Sequence, residues 1–351
     1  MAVSESLVGI SCPFDQRQLE RAFSPLFPKS VPLRVCDVLF GNINTIIKVE
    51  ANGQIYGLRV RTQETVYRYE PDLIKEAFVS WLLSNRGAVA EDKVVATAFA
   101  ELRSSQRGFI SDHPVILPMV RYFDWSRQLL PHPYCIYEWV DGVPLWAMPN
   151  LDLYTDAGQT LARIHEVRLS SFYVDFLSLG VQPVSWARRF QASFQKELQA
   201  AESRLHGTIV KQLRHLKIPE KNPCPPHLVH NDFAPGNIIV QNGAIATIID
   251  WDNAVVDARH LDFVKMKYWT ARDSGGELAH DPTLFAAFVN GYGATGQEIV
   301  SSSLFTLYEV LWLVRVFNFE CSKEEQGLPR APRYPAAETY RRYLEVVMTR
   351  I

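Results

Sequence analysis

Apolar positions in the early part of the chain alternate with polar ones in short runs that break at Asn-Gly pairs. "TIIKVEA" (45–51) and "IYGLRVR" (55–61) flank Asn52-Gly53, the strongest local signal for a two-residue β-hairpin. In that register Lys48, Arg59 and Arg61 share one face, and Gly57 stands two residues before Arg59 on it. Residues 71–87 switch period: Ile74, Ala77, Phe78, Trp81 and Leu82 make one helical stripe, opened by Pro71 and closed by Gly87. "YCIYEWV" (134–140) reads as a buried strand ended by Asp141-Gly142. Beyond it, 150–206 and 283–350 follow the helical period. The pattern predicts an α+β chain of two lobes, with a small antiparallel-sheet N-terminal lobe over 1–139 and a larger, mostly helical C-terminal lobe over 140–351. A cleft is expected where they meet.

The stretch 228–254, "LVHNDFAPGNIIVQNGAIATIIDWDNA", is the exception in the second lobe. Asn242-Gly243 marks another hairpin, with 241 opposite 244 and 237 opposite 248. If the alternation runs on, Asp250 shares the face of Ile248 and has Asn237 as a diagonal neighbour, roughly 7–8 Å away. Two oxygen-bearing side chains directed into one space suit Mg²⁺, which takes one or two such ligands and completes its shell with water and substrate phosphates. Asp232 precedes the first strand, where it would accept or orient the proton of an attacking hydroxyl.

Charge and composition narrow the partners. The 351 residues carry 36 basic and 38 acidic side chains, a net −2, so nothing favours nucleic acid or an anionic membrane. Small molecules or proteins are the expected partners. Five scattered cysteines, none in a C-x-x-C pair, speak against a zinc site or disulfide framework and for a cytoplasmic setting. The N-terminus, with Glu5 and Asp15 and no basic patch ahead of an apolar core, does not read as a signal peptide. "SSLFTLYEVLWLVRVFNF" contains Glu309 and Arg315 and reads as a buried helix, not a membrane span.

His230-x-Asp232 followed by Asn237 matches the H-x-D-x-x-x-x-N catalytic loop of kinase-like enzymes, and Asp250-Trp251-Asp252 matches their metal-binding D-x-[DG] element. "HNDFAPGN" with "IIDWD" resembles the aminoglycoside phosphotransferase and choline kinase family, whose pattern is H-[GMN]-D-x-x-P-x-N and then I-D-[FW]-[DE]. "FGNINTIIKV", "YEWVDGVPL" and "LARIHEV" are similar to its phosphate-covering loop, hinge strand and a helix ending in L-A-x-[IL]-H. The resemblance implies a protein-kinase-like fold and transfer of the γ-phosphate of ATP or GTP to a hydroxyl of a small molecule: an antibiotic, amino alcohol, sugar or related metabolite.

The same resemblance implies roles. Asp232 is the catalytic base; Asn237 and Asp250 hold Mg²⁺, with Asp252 a second metal contact. Gly41 and Asn44 belong to the phosphate-covering loop, whose second glycine is missing, and backbone groups around Glu138 and Val140 hold the purine. Arg59, partnered by Glu76, stands where the family has its phosphate-binding lysine. A guanidinium can fork onto phosphate oxygens, so the role is compatible with the substitution. Asp262 in "DARHLDF" is expected to anchor the catalytic-loop backbone, and His230 to hold the loop in shape. Trp269, Glu309 and Trp312 are read as core residues before pocket residues. Two other classes stand beside the enzyme: a nucleotide-binding pseudokinase or scaffold, and a protein kinase. The latter is disfavoured because the Arg of H-R-D and an A-P-E element are missing.

Overall fold

In the computed structural model the described residues are 12–40, 44–61, 117–124, 126–167, 185–221, 223–330 and 333–351, together with Glu76 and Val79. By contacts they fall into two units. One contains the described residues up to Asp141 together with Thr247–Asn253, and the other contains those of Gly142–Ala246 and Ala254–Ile351. A division at 139/140 places 247–253 in the second lobe. The side chains of Asp250 and Asp252 bond to Arg59, however, and this segment therefore belongs with the first unit.

The first unit begins with α1 (Gln16–Phe23). There Asp15 accepts the amide of Gln18 at 2.8 Å and Gln18 accepts that of Asp15 at 2.9 Å, a closed capping box. Leu19, Ala22 and Phe23 join the core beneath a sheet of five antiparallel strands. These are β1 (Leu33–Phe40), β2 (Asn44–Ala51), β3 (Gln54–Arg61), β4 (Val120–Asp124) and β5 (Tyr134–Glu138), in the order β1-β2-β3-β5-β4. Asn52 and Gly53 both have positive φ, 50° and 74°, the backbone whose twist suits a two-residue hairpin, and Ala51 faces Gln54 as the sequence register requires. Along β2, Thr45, Ile47, Val49 and Ala51 are buried in strict alternation. β3 departs from that pattern, because Gly57 and Arg59 are buried on the face opposite Tyr56, Leu58 and Val60. A strand buried on both faces needs a partner for any charge it carries, and Arg59 has three. The helix expected over 71–87 lies outside the described residues apart from Glu76 and Val79, which are helical and buried.

The second unit contains β6 (Val143–Pro144), α2 (Leu151–His165), α3 (Trp186–Ala201), α4 (Gly207–Arg214), β7 (His227–Val229), β8 (Ile238–Gln241), β9 (Ala244–Ile248), β10 (Val255–Asp257) and α5 (Leu261–Tyr268). It continues with β11 (Ala271–Arg272), β12 (Leu278–Ala279), α6 (Pro282–Tyr292), α7 (Ala294–Ser301), α8 (Ser303–Glu325) and α9 (Ala337–Met348). β8 and β9 meet at Asn242 and Gly243, with φ of 52° and 77°, and the boundary between the units falls within β9. α2 and α6 approach so closely that a Cβ on Gly158 would lie 2.0 Å from the Phe288 carbonyl oxygen, and one on Gly291 2.0 Å from that of Thr155. Only glycine permits this crossing. α8 is the apolar stretch read from sequence as a buried helix, and Leu304 to Val314 are buried along most of its circumference. Among the described residues no single helix is long and apolar enough to cross a membrane.

Candidate active site

The first unit concentrates charge at the middle of β3. Arg59 Nη1 donates to Glu76 Oε2, while Nη2 donates to Asp250 Oδ1 at 2.9 Å and to Asp252 Oδ2 at 2.6 Å. With its amide oxygen turned towards the guanidinium, Asn44 accepts from Arg59 Nη2 at 2.6 Å and Nε at 3.1 Å. Arg59, Glu76 and Asp252 are buried and Asp250 is 38% exposed at its side chain. Burial opposes the charge on Arg59, but Asp252, Glu76 and Asp250 outweigh it and hold the guanidinium well above its ordinary pKa. Burial pushes Asp252 up to about 7, with Arg59 working against the shift and Glu76 and Asp250 adding to it. Three carboxylates thus converge on one cation.

Asp250 reaches this cluster by a route that strand alternation does not describe. β9 ends at Ile248, and Asp250 has φ 67°, a left-handed backbone that costs a non-glycine residue roughly 1–2 kcal/mol. Asn237 lies in a short 3-10 turn, Pro235–Asn237, and so also falls outside its strand. The expected diagonal strand pair is therefore not formed as such. Lys48, on the same face of the hairpin as Arg59, is drawn off by Asp141 at 2.8 Å and lies 4.8 Å from the Trp139 ring centroid. The Glu138 amide donates to Met119 O at 2.9 Å and its carboxylate pairs with Arg121. Val140 follows β5 and is half-buried, and Gly41 lies outside the described residues.

The second unit builds a loop around Asp232. Asp262, in the first turn of α5, accepts the amides of His230 at 2.8 Å and Asn231 at 2.7 Å. Its Oδ2 also meets His165 Nε2 at 3.0 Å, and His165 Nδ1 is 2.9 Å from the Tyr292 hydroxyl. Burial lowers the His165 pKa against the pull of Asp262, so the ring is neutral: Nε2–H donates to the carboxylate and Nδ1 accepts from Tyr292. Asp262 thus anchors the loop backbone at two successive amides. His230 is fully buried, and its Nδ1 accepts from the Asp232 amide at 3.2 Å. Asn237 Nδ2 donates to Asp232 O at 2.8 Å, which closes the loop and turns its amide oxygen away from that bond. Asn231, with φ 61°, supplies the bend.

The model for the phosphotransferase enzyme family, APH, matches residues 95–300, more than half of the chain. The chain belongs to this family. It is 24% identical over 169 residues to a homoserine kinase from Gluconobacter oxydans, and 24% identical over 202 residues to hygromycin-B 4-O-kinase from Escherichia coli. Those alignments take in 47% and 54% of this chain and 51% and 58% of the two relatives, so the chain spans little more than half the length of the curated relatives it matches. Among solved structures, the aminoglycoside phosphotransferase APH(4)-Ia with AMP-PNP and hygromycin B superposes with a TM-score of 0.61 at 14% identity, over 95% of this chain and 98% of that one. The macrolide 2'-phosphotransferase MphH of Brachybacterium faecium gives 0.51 at 13% identity, over 93% and 96%. These likenesses establish the fold.

Two features of the clusters bear on a divalent cation. Among the described residues no three acidic, cysteine or histidine side chains are arranged to hold a metal by themselves. Asp252 Oδ1, however, is buried with no hydrogen-bond partner among the described residues, beside an excess of carboxylate. A magnesium ion that draws on one or two carboxylates and on phosphate oxygens fits that donor set.

The sequence patterns do not single out Lys265. From α5 its Nζ bonds Asp232 Oδ1, and it lies 5.5 Å from the Trp269 ring centroid. The signal was present, because Lys265 follows Asp262 by three residues and a helix puts both on one side. Glu309 and Trp312 are buried: Glu309 accepts from Lys267 and from the Tyr268 hydroxyl at 2.9 Å, and Trp312 stacks on Tyr268 at 5.3 Å. They form core, as read from sequence, whereas Trp269 is only half-buried.

Proposed function

We propose that the protein transfers the γ-phosphate of ATP, or of GTP, to a hydroxyl of a small molecule. The observation that carries this reading is Asp232, presented on a loop that Asp262, His230 and Asn237 hold from three sides and fixed in rotamer by Lys265. The acceptor oxygen attacks the γ-phosphorus while Asp232 takes its proton, and the bond from phosphorus to the β-phosphate oxygen breaks to release the nucleoside diphosphate. Arg59, positioned by Glu76, would fork onto phosphate oxygens. Asp250, Asp252 and Asn237 would hold Mg²⁺, which offsets the charge of the phosphates when bound. Backbone groups around Glu138 and Val140 would take the purine, and Asn44 and Gly41 would border the phosphates. A cytoplasmic location goes with this reading, since ATP and reduced thiols coexist there, and all five cysteines are free.

The relatives act, by their names, on homoserine and hygromycin B, which supports small hydroxyl compounds as a class. A nucleotide-binding scaffold is the second reading, favoured by the closure of three carboxylates on Arg59. A screen of nucleoside-diphosphate release across hydroxyl-bearing metabolites and antibiotics, with Asp232→Ala as the blank, separates the two. Acceptor-dependent release above the blank supports the transferase. Saturable Mg·ATP binding with no release for any acceptor overturns it in favour of the scaffold.

A further inference from the structure

A closed chain of side-chain contacts starts and ends on the Asp232 loop. Lys265 pairs with Asp232 and lies 5.5 Å from the Trp269 ring centroid; Trp269 stands 5.4 Å from Tyr334; Arg333 lies 5.0 Å from Tyr334 and 5.6 Å from Trp146. Trp146 returns to the loop, for a Cβ built on Gly236, the residue before Asn237, would lie 2.8 Å from its ring. Arg272 covers the same indole at 4.5 Å. The backbone puts the two arginines side by side, because Arg272 on β11 faces Leu278 on β12 and the Leu278 amide donates to Arg333 O at 2.8 Å. All of these residues belong to the second unit.

The ring carries two cations without a carboxylate partner: Arg272 and Arg333, both exposed, form no salt bridge among the described residues. The nearby acids are already engaged: Asp273 accepts the amides of Gly275 and Glu277 at 2.9 Å, and Glu277 pairs with Arg330 at 2.7 Å. A guanidinium held over an indole face can still offer N–H groups in the fork that matches a carboxylate. Trp146 and Trp269 offer apolar faces between the cations.

We infer that Arg272, Arg333 and Trp146 form the acceptor subsite, and that it takes a hydroxy acid, a compound with an anionic carboxylate at one end and the reacting hydroxyl at the other. The inference rests on the phosphotransferase reading and adds the acceptor's charge to it. A polycationic acceptor meets three cations in this ring and is disfavoured by like-charge repulsion.

The test is calorimetric titration of the full chain with para-(hydroxymethyl)benzoate, its neutral amide and choline. The benzoate is expected to bind, with the amide and choline weaker by roughly tenfold or more, the size of a lost charged hydrogen bond. Arg272→Ala with Arg333→Ala should lower benzoate affinity by roughly tenfold or more and leave Mg·ATP affinity unchanged, and Trp146→Leu should weaken it less. Absence of benzoate binding, equal or tighter binding of the amide or choline, or an unaffected double variant would each overturn the subsite. A double variant that weakens ATP instead overturns it as well. The phosphotransferase reading fails by a separate result: Mg·ATP does not bind, or no acceptor raises nucleotide release above the Asp232→Ala blank, while the arginine-dependent binding of benzoate persists.

Discussion

Around Arg59 three carboxylates meet one guanidinium, whereas at Asp232 one carboxylate meets one ammonium and its buried neighbour Asp262 is answered by two amides and a neutral imidazole. The first cluster carries surplus negative charge in a low-dielectric setting. It leaves Asp252 Oδ1 unpartnered and pushes the Asp252 carboxyl up to about 7 through burial. Such a site is most favourable when another cation arrives. In the second cluster each acid already has its partners, and Asp262 serves geometry: it fixes the backbone, and the backbone fixes Asp232. One fold thus holds a cluster with surplus negative charge and a rigid mount for a single carboxylate, in different units and by different means.

The contrast is broken most severely at Asp232. Asp232→Ala should leave Mg·ATP binding and the melting temperature unchanged and reduce acceptor-dependent turnover by roughly 10²–10⁴, the usual contribution of a positioned base. A loss under about threefold in steady-state assays would remove Asp232 from the chemistry.

Arg59→Ala should act on stability first, because it strands Glu76 and Asp252 without their cation. Denaturant titration is expected to show a loss of about 3–5 kcal/mol, together with a raised nucleotide KM and lowered kcat. Arg59→Lys should fall between that variant and the parent, since it restores charge without the fork. Lys48→Ala removes only an exposed pair with Asp141 and should cost about 0–1 kcal/mol, and Arg61→Ala is the second control. If a control is crippled while Arg59→Ala is silent, the phosphate-binding cation has been misassigned.

A smaller effect, of opposite sign in the two states, is expected from Asp250→Asn. Removing one of three like charges should leave the unliganded protein as stable or slightly more so, yet raise the Mg²⁺ concentration needed for nucleotide binding. Parental behaviour in a titration at limiting Mg²⁺ would show that the surplus charge around Arg59 has no part in holding the metal.

The smallest effect concerns protons in the second unit. His260, at the start of α5, is buried, and burial with help from Arg259, His165 and His227 lowers its pKa to about 3. The unfolded chain takes up that proton near pH 6.5 and the folded one does not, so stability is complete above the unfolded value and declines as pH falls towards the folded one. His260 should account for roughly 0.7 kcal/mol lost between pH 7 and pH 6. His260→Gln should flatten that part of the profile in urea melts, and an unchanged slope would assign the acid limb to other groups.

Much of this architecture was legible in the sequence, for reasons that are local. Asn52-Gly53 and Asn242-Gly243 announce hairpins because only residues tolerant of positive φ close them, and the helical period of 283–350 survives because helices such as α9 bury one stripe. The spacing of His230, Asp232 and Asn237 was equally plain, since a single loop carries them. The geometry expected for Asp250 does not hold: alternation assumes an extended chain, and its φ of 67° ends the strand's rule two residues early.

By itself, then, the sequence determined the elements, the loop that bears Asp232 and the acids around it, because these depend on backbone preferences within a few residues. Tertiary structure alone decided which cation each acid meets. Arg59 lies 191 and 193 residues from its partners Asp250 and Asp252, and Lys265 lies 33 from Asp232. Arg272 and Arg333 meet over Trp146 only after two hairpin strands and a return segment have been laid side by side. Electrostatic pairing is set by distance in space and by burial, and neither quantity exists until the chain has folded.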